Sequence, residues 1–281
     1  MNAAPARFAK MHGAGNDFVV IDLRGAPPLA PSRIAALANR HTGIGFDQLL
    51  GIDAPADPDA VADYRVWNSD GSSARQCGNG ARCIAAWLRR EGVATGRRFR
   101  LGSPAGPVDV DVLDDGRYAV SMGRPLFTAA SVPFRAGGDA DADGRYTLAL
   151  PTGPVRFGVV SMGNPHAVIE VPSVADADVA TLAPALQARD EFPDGVNVGF
   201  AQVLAPGRIR LRVYERGAGE TLACGSGACA AVAVLVRQGR VARRVEVELP
   251  GGTLEVHWPD DESTITMAGP ATFGFDGELA A

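Results

Sequence analysis

Two cysteines in this 281-residue sequence stand in nearly the same short motif. Cys77 begins Cys-Gly-Asn-Gly, Cys224 begins Cys-Gly-Ser-Gly, and a stretch with helical periodicity follows each of them. A helix N-terminus carries a partial positive charge, which lowers the pKa of a nearby thiol and favours the reactive thiolate. The glycines leave backbone N–H groups uncovered, so a carboxylate can dock there. The motifs therefore predict two reactive thiols, each beside a cradle for an anion.

The two motifs are in register across an internal repeat. Segments 66–80 and 213–227 superpose at a constant separation of 147 residues (224 minus 77), and Gly92 and Gly239 keep that separation. Gly15-Asn16 recurs as Gly163-Asn164, one residue further apart. The chain therefore consists of two related halves rather than of many short repeats.

A pair of thiols on opposite sides of one carbon could invert a stereocentre without a cofactor. One thiolate removes the α-proton from one face, and the opposing thiol delivers a proton to the other face. Because an amino-acid α-proton is very weakly acidic, exclusion of water and oriented dipoles must stabilise the carbanion. Taken singly, each motif also fits a buried small residue before a helix. The shared register favours the chemical interpretation.

The other two cysteines are expected to be structural. Cys83 and Cys229 lie inside the predicted helices, where burial as small hydrophobes explains them. They stand six and five residues after Cys77 and Cys224, unlike the two-residue spacing of zinc knuckles, so no metal site is predicted.

Composition excludes several classes of protein. The net charge of -5 and pI near 5.4 give no electrostatic basis for binding nucleic acid or acidic membranes. No apolar run is long enough to span a bilayer, and residues 1–10 lack the order of a signal peptide, so we expect a cytoplasmic protein with reduced thiols. Lys10 is the sole lysine and lacks a phosphate-binding context, which argues against pyridoxal-phosphate chemistry.

Periodicity predicts mixed α and β structure. Helices are predicted at 79–91 and 226–238, ended by Gly92 and Gly239, and shorter ones at 32–39 and 179–188. The helix at 226–238 is apolar on every side, so sheet should surround it. Strands are predicted at 17–23, 64–67, 108–113, 118–122, 155–160, 167–171, 208–214 and 245–249. The chain length favours two domains, with 123–133 as the connection.

At these motifs the chain resembles the diaminopimelate epimerases. The matching segments are Met11-His-Gly-Ala-Gly-Asn-Asp17, Asn68-Ser-Asp-Gly-Ser72, Gln76-Cys-Gly-Asn-Gly80, Gly163-Asn-Pro-His166, Glu215-Arg-Gly-Ala-Gly-Glu-Thr221 and Ala223-Cys-Gly-Ser-Gly227. The resemblance implies a cofactor-independent, metal-free enzyme that interconverts LL- and meso-diaminopimelate, a step towards lysine and peptidoglycan. It also implies a homodimer, although many members have a tyrosine where this chain has Phe275.

The resemblance implies an α/β (α+β) fold of two pseudo-symmetric domains. Each domain is a mostly antiparallel sheet or barrel wrapped around a central helix, and the active site lies in the cleft between them. The expected domains are residues 1–125, onto which the C-terminal strand 270–281 packs back, and residues 126–269.

Site residues follow from the matching positions. The resemblance implies that Cys224 takes the proton from the LL form and Cys77 returns it, with His166 and Glu215 tuning the pKa values of the thiols. The implied substrate-binding residues are Asn16, Gln48, Asn68, Gly78, Asn79, Asn164, Asn197, Glu215, Arg216, Gly225 and Ser226. Chemically, Arg216 suits a carboxylate and Glu215 an ammonium group.

Several of these residues have a structural alternative. Asn164 and Asn197 also fit turn residues, His166 a hydrogen-bonded loop histidine, and Glu215 with Arg216 a solvated surface pair. His12, His41 and Asp47 are interpreted as structural.

Two other functions remain open at this point. One is a proline or hydroxyproline racemase of the same general fold. The other is a non-catalytic thiol protein, either a redox sensor or a metal-binding module.

Overall fold

The computed structural model describes residues 6–27, 29–75 and 77–279, without the side chain of Ala6. Gln76 of the first cysteine motif and the last two residues of the predicted C-terminal strand lie outside the described residues. The chain divides into two compact units: unit 1 comprises residues 1–121 and 268–281, and unit 2 comprises residues 122–267. The predicted domains, residues 1–125 with the C-terminal strand and residues 126–269, stay a prediction.

Strands greatly outnumber helices in the described chain. In chain order the strands are Ala6–Gly13 (β1), Asn16–Asp22 (β2), Gln48–Asp53 (β3), Ala60–Asn68 (β4), Ser73–Ala74 (β5), Arg98–Gly102 (β6), Val108–Val112 (β7), Tyr118–Ser121 (β8), Tyr146–Leu150 (β9), Gly153–Ser161 (β10), Pro165–Glu170 (β11), Asn197–Ala205 (β12), Arg208–Glu215 (β13), Gly219–Thr221 (β14), Arg244–Leu249 (β15), Gly252–His257 (β16), Thr266–Gly269 (β17) and Thr272–Leu279 (β18). The helices are Pro31–Ala38 (α1), Gly78–Arg90 (α2), Val179–Gln187 (α3) and Gly225–Arg237 (α4), and a 3₁₀ turn covers Ala129–Ser131.

In unit 1 a mostly antiparallel sheet packs against α2. The C-terminal strand β18 and β2 flank β1 on either side, both antiparallel to it. The sheet continues through β3, β4 and β6 to the antiparallel strands β7 and β8, with parallel pairing at β2–β3 and β4–β6. Helix α2 packs against β1, β2, β3, β7 and β8, and its residues from Gly78 to Leu88 are buried. Helix α1 contributes Ile34 and Leu37 to a separate apolar cluster with Trp67.

Unit 2 repeats this plan around α4. The sheet runs from β9 through β10, β11, β12 and β13 to β15 and β16, with parallel pairs at β11–β12 and β13–β15. Every residue of α4 from Gly227 to Leu235 is buried, and the helix packs against β10, β11, β12, β13 and β16. Each large apolar side chain buried in this way, such as Val232 or Leu235, contributes about 1.5–3 kcal/mol. The prediction that sheet surrounds this helix is confirmed, as is the α+β class.

The predicted helices are confirmed to within one residue at their ends. Each of α2 and α4 begins directly after its cysteine, and Gly92 and Gly239 adopt the left-handed backbone that ends a helix, with φ of 72° and 66°. Several strands were not predicted, among them β3 and β12. Four consecutive residues of β3 and five of β12 are buried, so neither strand shows the alternation on which the prediction relied.

No helix in the part of the chain that the structure describes is long and apolar enough to cross a membrane.

Candidate active site

Cys77 and Cys224 occupy the same local position in the two units. Each is the N-cap of a 13-residue helix and has an extended backbone, with φ of -146° for Cys77 and -114° for Cys224. The backbone N–H of Gly80 donates to Cys77 Sγ at 3.4 Å, and that of Gly227 donates to Cys224 Sγ at 3.4 Å. The predicted location of both thiols at a helix start is confirmed. All four cysteines lie in the described ranges, and none of them forms a disulfide there.

Glycine leaves room for neighbouring side chains at the residue whose N–H contacts each sulfur. A Cβ on Gly227 would lie 2.9 Å from Val213 Cγ2 and 3.2 Å from Cys224 Sγ. A Cβ on Gly80 would lie 2.9 Å from Leu50 Cδ2. Both distances to carbon are shorter than van der Waals contact, so a side chain there would push the first helical turn away from the sheet.

Around Cys77, a row of side-chain amides connects two charged residues. Cys77 Sγ lies 3.8 Å from Asn16 Oδ1, to which Asn79 Nδ2 also donates at 3.4 Å. Asn16 Nδ2 donates to Asp47 Oδ2 at 3.0 Å, and Arg82 donates to Asn79 Oδ1 at 2.9 Å. The structure thus brings Asn16, Gly78 and Asn79 to Cys77, as their positions in the sequence suggested.

Sequence reasoning missed two members of this row. Asp47 was interpreted as structural, yet its carboxylate orients the Asn16 amide. Arg82 received no role, although it follows Cys77 by five residues and is completely buried. The available signal for Arg82 was an arginine directly before the apolar run 83–88 of the helix, because a cation placed among buried apolar residues needs specific partners.

Asp47 also belongs to a charge network at the edge of unit 1. Arg40 donates to both Asp17 and Asp47, and Lys10 donates to Asp17 and to the carbonyl of Gly45. Burial raises the pKa of the Asp17 carboxyl, but the hydrogen bonds from Arg40 and Lys10 outweigh it and hold the pKa well below its usual range. The sole lysine is therefore an ion-pair partner in this structure.

Gln48 and Asn68 form a second polar pair in unit 1. They face each other across the antiparallel β3–β4 pair. Gln48 Nε2 donates to Asn68 Oδ1 at 3.0 Å, and Asn68 Nδ2 donates to Ser72 Oγ at 3.1 Å. Both side chains are half-buried, so each keeps some hydrogen-bonding capacity for another molecule.

Around Cys224, the predicted residues form a hydrogen-bonded row of their own. Ser226 Oγ lies 3.6 Å from Cys224 Sγ and accepts from Asn164 Nδ2 at 3.3 Å. Asn164 Oδ1 lies 2.9 Å from His166 Nε2. Because Asn164 presents its carbonyl oxygen, His166 Nε2 is the protonated nitrogen of the ring. The four residues therefore connect β11 with the first turn of α4.

His166 is a buried strand residue, so its interpretation as a loop histidine is wrong. It lies in β11 and is 1% exposed. Burial, with a smaller contribution from the Arg216 charge, lowers the pKa of His166 from 6.5 to about 3. The imidazole is therefore neutral near neutral pH.

The predicted lowering of the thiol pKa is wrong for Cys224. Burial raises the pKa of this thiol well above its usual value, and the Glu215 carboxylate raises it further. The Ser226 hydroxyl and the Gly227 N–H act in the opposite direction and are outweighed. At 4% exposure, the cost of burying a thiolate exceeds the benefit of the helix N-terminus.

Glu215, Arg216 and Asn197 lie where β13 ends. Thr221 Oγ1 donates to Glu215 Oε1 at 2.5 Å, and Arg216 donates to the carbonyl of Asp194. Asn197 is 4% exposed, begins β12, accepts from the Arg216 backbone N–H at 2.9 Å and donates to the Pro165 carbonyl at 3.1 Å. It is therefore a buried strand residue that ties three segments together, and its interpretation as a turn residue is wrong.

The described residues contain no group of three or more His, Cys, Asp or Glu side chains that could hold a metal ion.

The family model and the sequence relatives all identify the same family. The model of the diaminopimelate epimerase family matches residues 8–128 and 158–274. The diaminopimelate epimerase of Xanthomonas axonopodis pv. citri is 59% identical over 273 residues, which cover 97% of this chain and 95% of that protein. That of Xylella fastidiosa strain M12 is 53% identical over 274 residues, covering 97% and 96%.

Solved structures share the fold at low identity. A hydroxyproline epimerase from Agrobacterium vitis has a TM-score of 0.70 and 16% identity, over 98% of this chain and 92% of that one. A phenazine biosynthesis protein of the PhzF family from Bacillus anthracis has a TM-score of 0.69 and 16% identity, over 99% and 100%. Since these proteins carry different activities on one fold, the function must be argued from the site and the sequence relatives. With two cysteine-capped helices and a family match that spans both halves, the chain belongs to the diaminopimelate epimerase family.

Proposed function

We propose that this chain interconverts LL-2,6-diaminopimelate and meso-diaminopimelate through proton transfer by Cys224 and Cys77. Membership in the family makes it an isomerase that acts on an amino acid. The observation that carries the two-cysteine mechanism is the equivalence of the thiols: both cap a helix, and both accept a hydrogen bond from the N–H three residues later. Neither a cofactor nor a metal enters the proposed reaction.

The reaction consists of two proton transfers at one carbon. In the direction from LL to meso, the Cys224 thiolate takes the α-proton, so the C–H bond breaks and its electron pair stays on carbon. The Cys77 thiol then gives its proton to the opposite face, so a new C–H bond forms and Cys77 becomes the thiolate. The mechanism requires both sulfur atoms to approach the same carbon.

Cys224 must first lose its own proton. Burial and the Glu215 carboxylate hold the pKa of this thiol high. We propose that an ammonium group of the substrate binds at Glu215. This group would neutralise the carboxylate that repels the Cys224 thiolate and would itself attract the thiolate, so the pKa of Cys224 would fall. His166, kept neutral by its low pKa, contributes through Asn164 and Ser226 to the orientation of the thiol.

Diaminopimelate carries a carboxylate and an ammonium group at each end, and the polar side chains near the two cysteines offer donors and acceptors for these groups. The backbone N–H groups of the first turns would hold the reacting carboxylate at Gly78 and Asn79 and at Gly225 and Ser226. The distal ammonium and carboxylate groups need both acceptors and donors, which these side chains provide: Asn16, Gln48, Asn68, Asn164, Glu215 and Arg216. Asn197, which is 4% exposed, would contribute by holding the backbone of Arg216 in place. Proline lacks a charged distal end, so this set favours diaminopimelate.

Deuterium incorporation tests the reaction directly. LL-diaminopimelate is incubated with the enzyme in D₂O without oxygen or added metal, and proline is run in parallel. We expect one deuterium at the inverted carbon of the meso product. Turnover of proline without turnover of diaminopimelate would establish the rival racemase activity, and tight stoichiometric zinc in an inactive protein would support a metal-binding module.

Alanine variants test the two-base mechanism. Cys77→Ala and Cys224→Ala should each abolish epimerisation, because each removes one of the two proton carriers. Cys83→Ala is the matched control: the residue also lies on α2, is fully buried, and should leave kcat nearly unchanged. Epimerisation that survives the loss of Cys77 would refute the mechanism.

We also propose a cytoplasmic homodimer. A reducing compartment keeps both thiols available. Phe275 on β18 is 54% exposed and makes an edge-to-face contact with Phe8 at 6.1 Å between ring centroids, so one aromatic side chain is available for contact with a second copy. Sedimentation that finds only monomer at micromolar concentration would contradict the dimer.

A further inference from the structure

Arg82 carries a fully buried positive charge close to Cys77. Its side chain lies on α2 and has no solvent exposure. Arg82 Nε donates to the Pro270 carbonyl at 3.2 Å, and another guanidinium nitrogen donates to Asn79 Oδ1 at 2.9 Å. Burying a cation is costly unless its hydrogen bonds are satisfied, so a residue kept at this place needs an explanation.

Arg82 is the first donor in a row of three hydrogen bonds. In this row Arg82 donates to Asn79, Asn79 donates to Asn16, and Asn16 donates to Asp47. A guanidinium can only donate, so Asn79 turns its oxygen to Arg82 and its nitrogen to Asn16 Oδ1, 3.4 Å away. A carboxylate can only accept, so Asn16 turns its nitrogen to Asp47, 3.0 Å away. The charged ends thereby fix both amides, and Asn16 Oδ1 is the atom that faces the Cys77 thiol.

We infer that Arg82 is a positioning residue for Cys77: it holds the Asn79 amide in one orientation and so sets the hydrogen-bond acceptor that Asn16 offers to the thiol. The inference deepens the proposed function and rests on it, because the thiol so held is the one that delivers the proton. Arg82 acts through Asn79 and Asn16. It does not itself contact the substrate in this scheme.

Two further observations support a specific role. A Cβ on Gly13 would lie 3.0 Å from the Arg82 nitrogen that bonds to Asn79, so glycine at this place leaves room for the guanidinium. The residue of α4 that corresponds to Arg82, 147 positions later (229 minus 82), is Cys229, which is also fully buried. The equivalent helix α4 therefore forms with a neutral side chain at this position. The formation of α2 does not by itself require the positive charge of Arg82.

A double-mutant cycle with Arg82→Met and Asn79→Ala tests whether Arg82 acts through Asn79. We expect each single variant to lower kcat by about 10²-fold, since small displacements of a reacting group have effects of that size. The effect of Arg82→Met should fall on kcat more than on KM. The double variant should be no slower than the slower single variant, because removing Asn79 removes the group through which Arg82 acts.

Two outcomes of the cycle would overturn the inference. One is a kcat for Arg82→Met within about threefold of that of the Cys83→Ala control. The other is a double variant slower by about 10⁴-fold, which is the product of independent effects. If Arg82→Met does not fold, Arg82→Lys replaces it: the ammonium group lacks the planar fork that reaches both Pro270 and Asn79, so kcat should fall by about tenfold. A wild-type kcat for Arg82→Lys would also overturn the inference.

Alkylation of the thiols provides a measurement that does not depend on the enzymatic activity. Folded protein is treated with iodoacetamide, and the rates at Cys77 and Cys224 are read from their peptides by mass spectrometry. Arg82→Met should slow alkylation of Cys77 by about tenfold, because the cation that favours a thiolate is lost and Asn16 Oδ1 is freer to retain the thiol proton. Cys224, in unit 2, is the internal control and should change by less than about threefold.

The alkylation result separates the two hypotheses. If Arg82→Met slows alkylation of Cys77 as expected but the wild type does not epimerise diaminopimelate, the proposed function fails while the control of Cys77 by Arg82 stands. An unchanged ratio of the Cys77 and Cys224 rates in Arg82→Met would overturn the inference even in an active enzyme.

Discussion

Acidification should destabilise unit 2 through His166. The side chain is 1% exposed and has a pKa of about 3 in the folded protein, against 6.5 in an unfolded chain. Between these values the unfolded state binds a proton that the folded state does not bind. The stabilisation is therefore complete above pH 6.5 and is lost as the pH falls from 6.5 towards 3.

The size of the effect follows from the two pKa values. Well below 6.5 the free energy of unfolding falls by about 1.4 kcal/mol for each pH unit, and the loss between pH 7 and pH 5 is about 2 kcal/mol. Most carboxylates remain ionised above pH 5, so this window isolates the histidine. His257, whose pKa burial lowers as well, adds a change of the same sign that is common to wild type and variant.

Hydrogen exchange of the α4 peptide at pH 7, 6 and 5 measures the opening of unit 2. The comparison is between wild type and His166→Gln at each pH, so that the intrinsic pH dependence of exchange cancels. Between pH 7 and pH 5, the free energy of opening obtained from the exchange rates should fall by about 2 kcal/mol more in the wild type than in the variant. His41→Gln, at an exposed position, is the control and should follow the wild type. Equal pH dependence in wild type and His166→Gln would refute the argument.

Two further predictions concern the thiols themselves. Gly227→Ala places a methyl group 2.9 Å from Val213 Cγ2 and 3.2 Å from Cys224 Sγ, so it should destabilise unit 2 by about 1–3 kcal/mol and lower kcat. Gly207→Ala, whose nearest contact would be an ordinary 3.8 Å, is the control, and equal melting temperatures for the two variants would contradict the prediction. Mild oxidation should inactivate the enzyme reversibly by joining Cys77 to Cys224, because the proposed mechanism requires both thiols to reach one carbon. Peptide mapping that finds sulfinic acid but no crosslink would show that the two thiols do not meet.

Local patterns were enough to predict the helices that carry the cysteines. The glycine-rich starts, the apolar periodicity and the final glycines Gly92 and Gly239 all act within a few residues, so the sequence contains the necessary information. The strands that show no alternation, such as β3 and β12, were missed because burial on both faces removes the pattern. β18 was expected only from the family resemblance, and its partner β1 lies at the other end of the chain.

The partners of the site residues could not be predicted in the same way. Asp47 and Arg82 orient Asn16 and Asn79 through contacts between segments far apart in the sequence. Asn197 has the surroundings of a turn residue in the sequence, but it is buried because Pro165 and Arg216 pack on either side of it. Such contacts depend on how the strands pair, and no local spacing specifies that pairing.

The sequence by itself determined that two of the four cysteines, Cys77 and Cys224, are in register and that a helix begins at each of them. Those properties follow from residue type and from spacing within one segment. Only the tertiary structure decided the protonation of Cys224, whose pKa burial raises although the helix N-terminus favours the thiolate. The physical reason is that the helix dipole is a local property, whereas desolvation depends on everything that the fold packs around the sulfur.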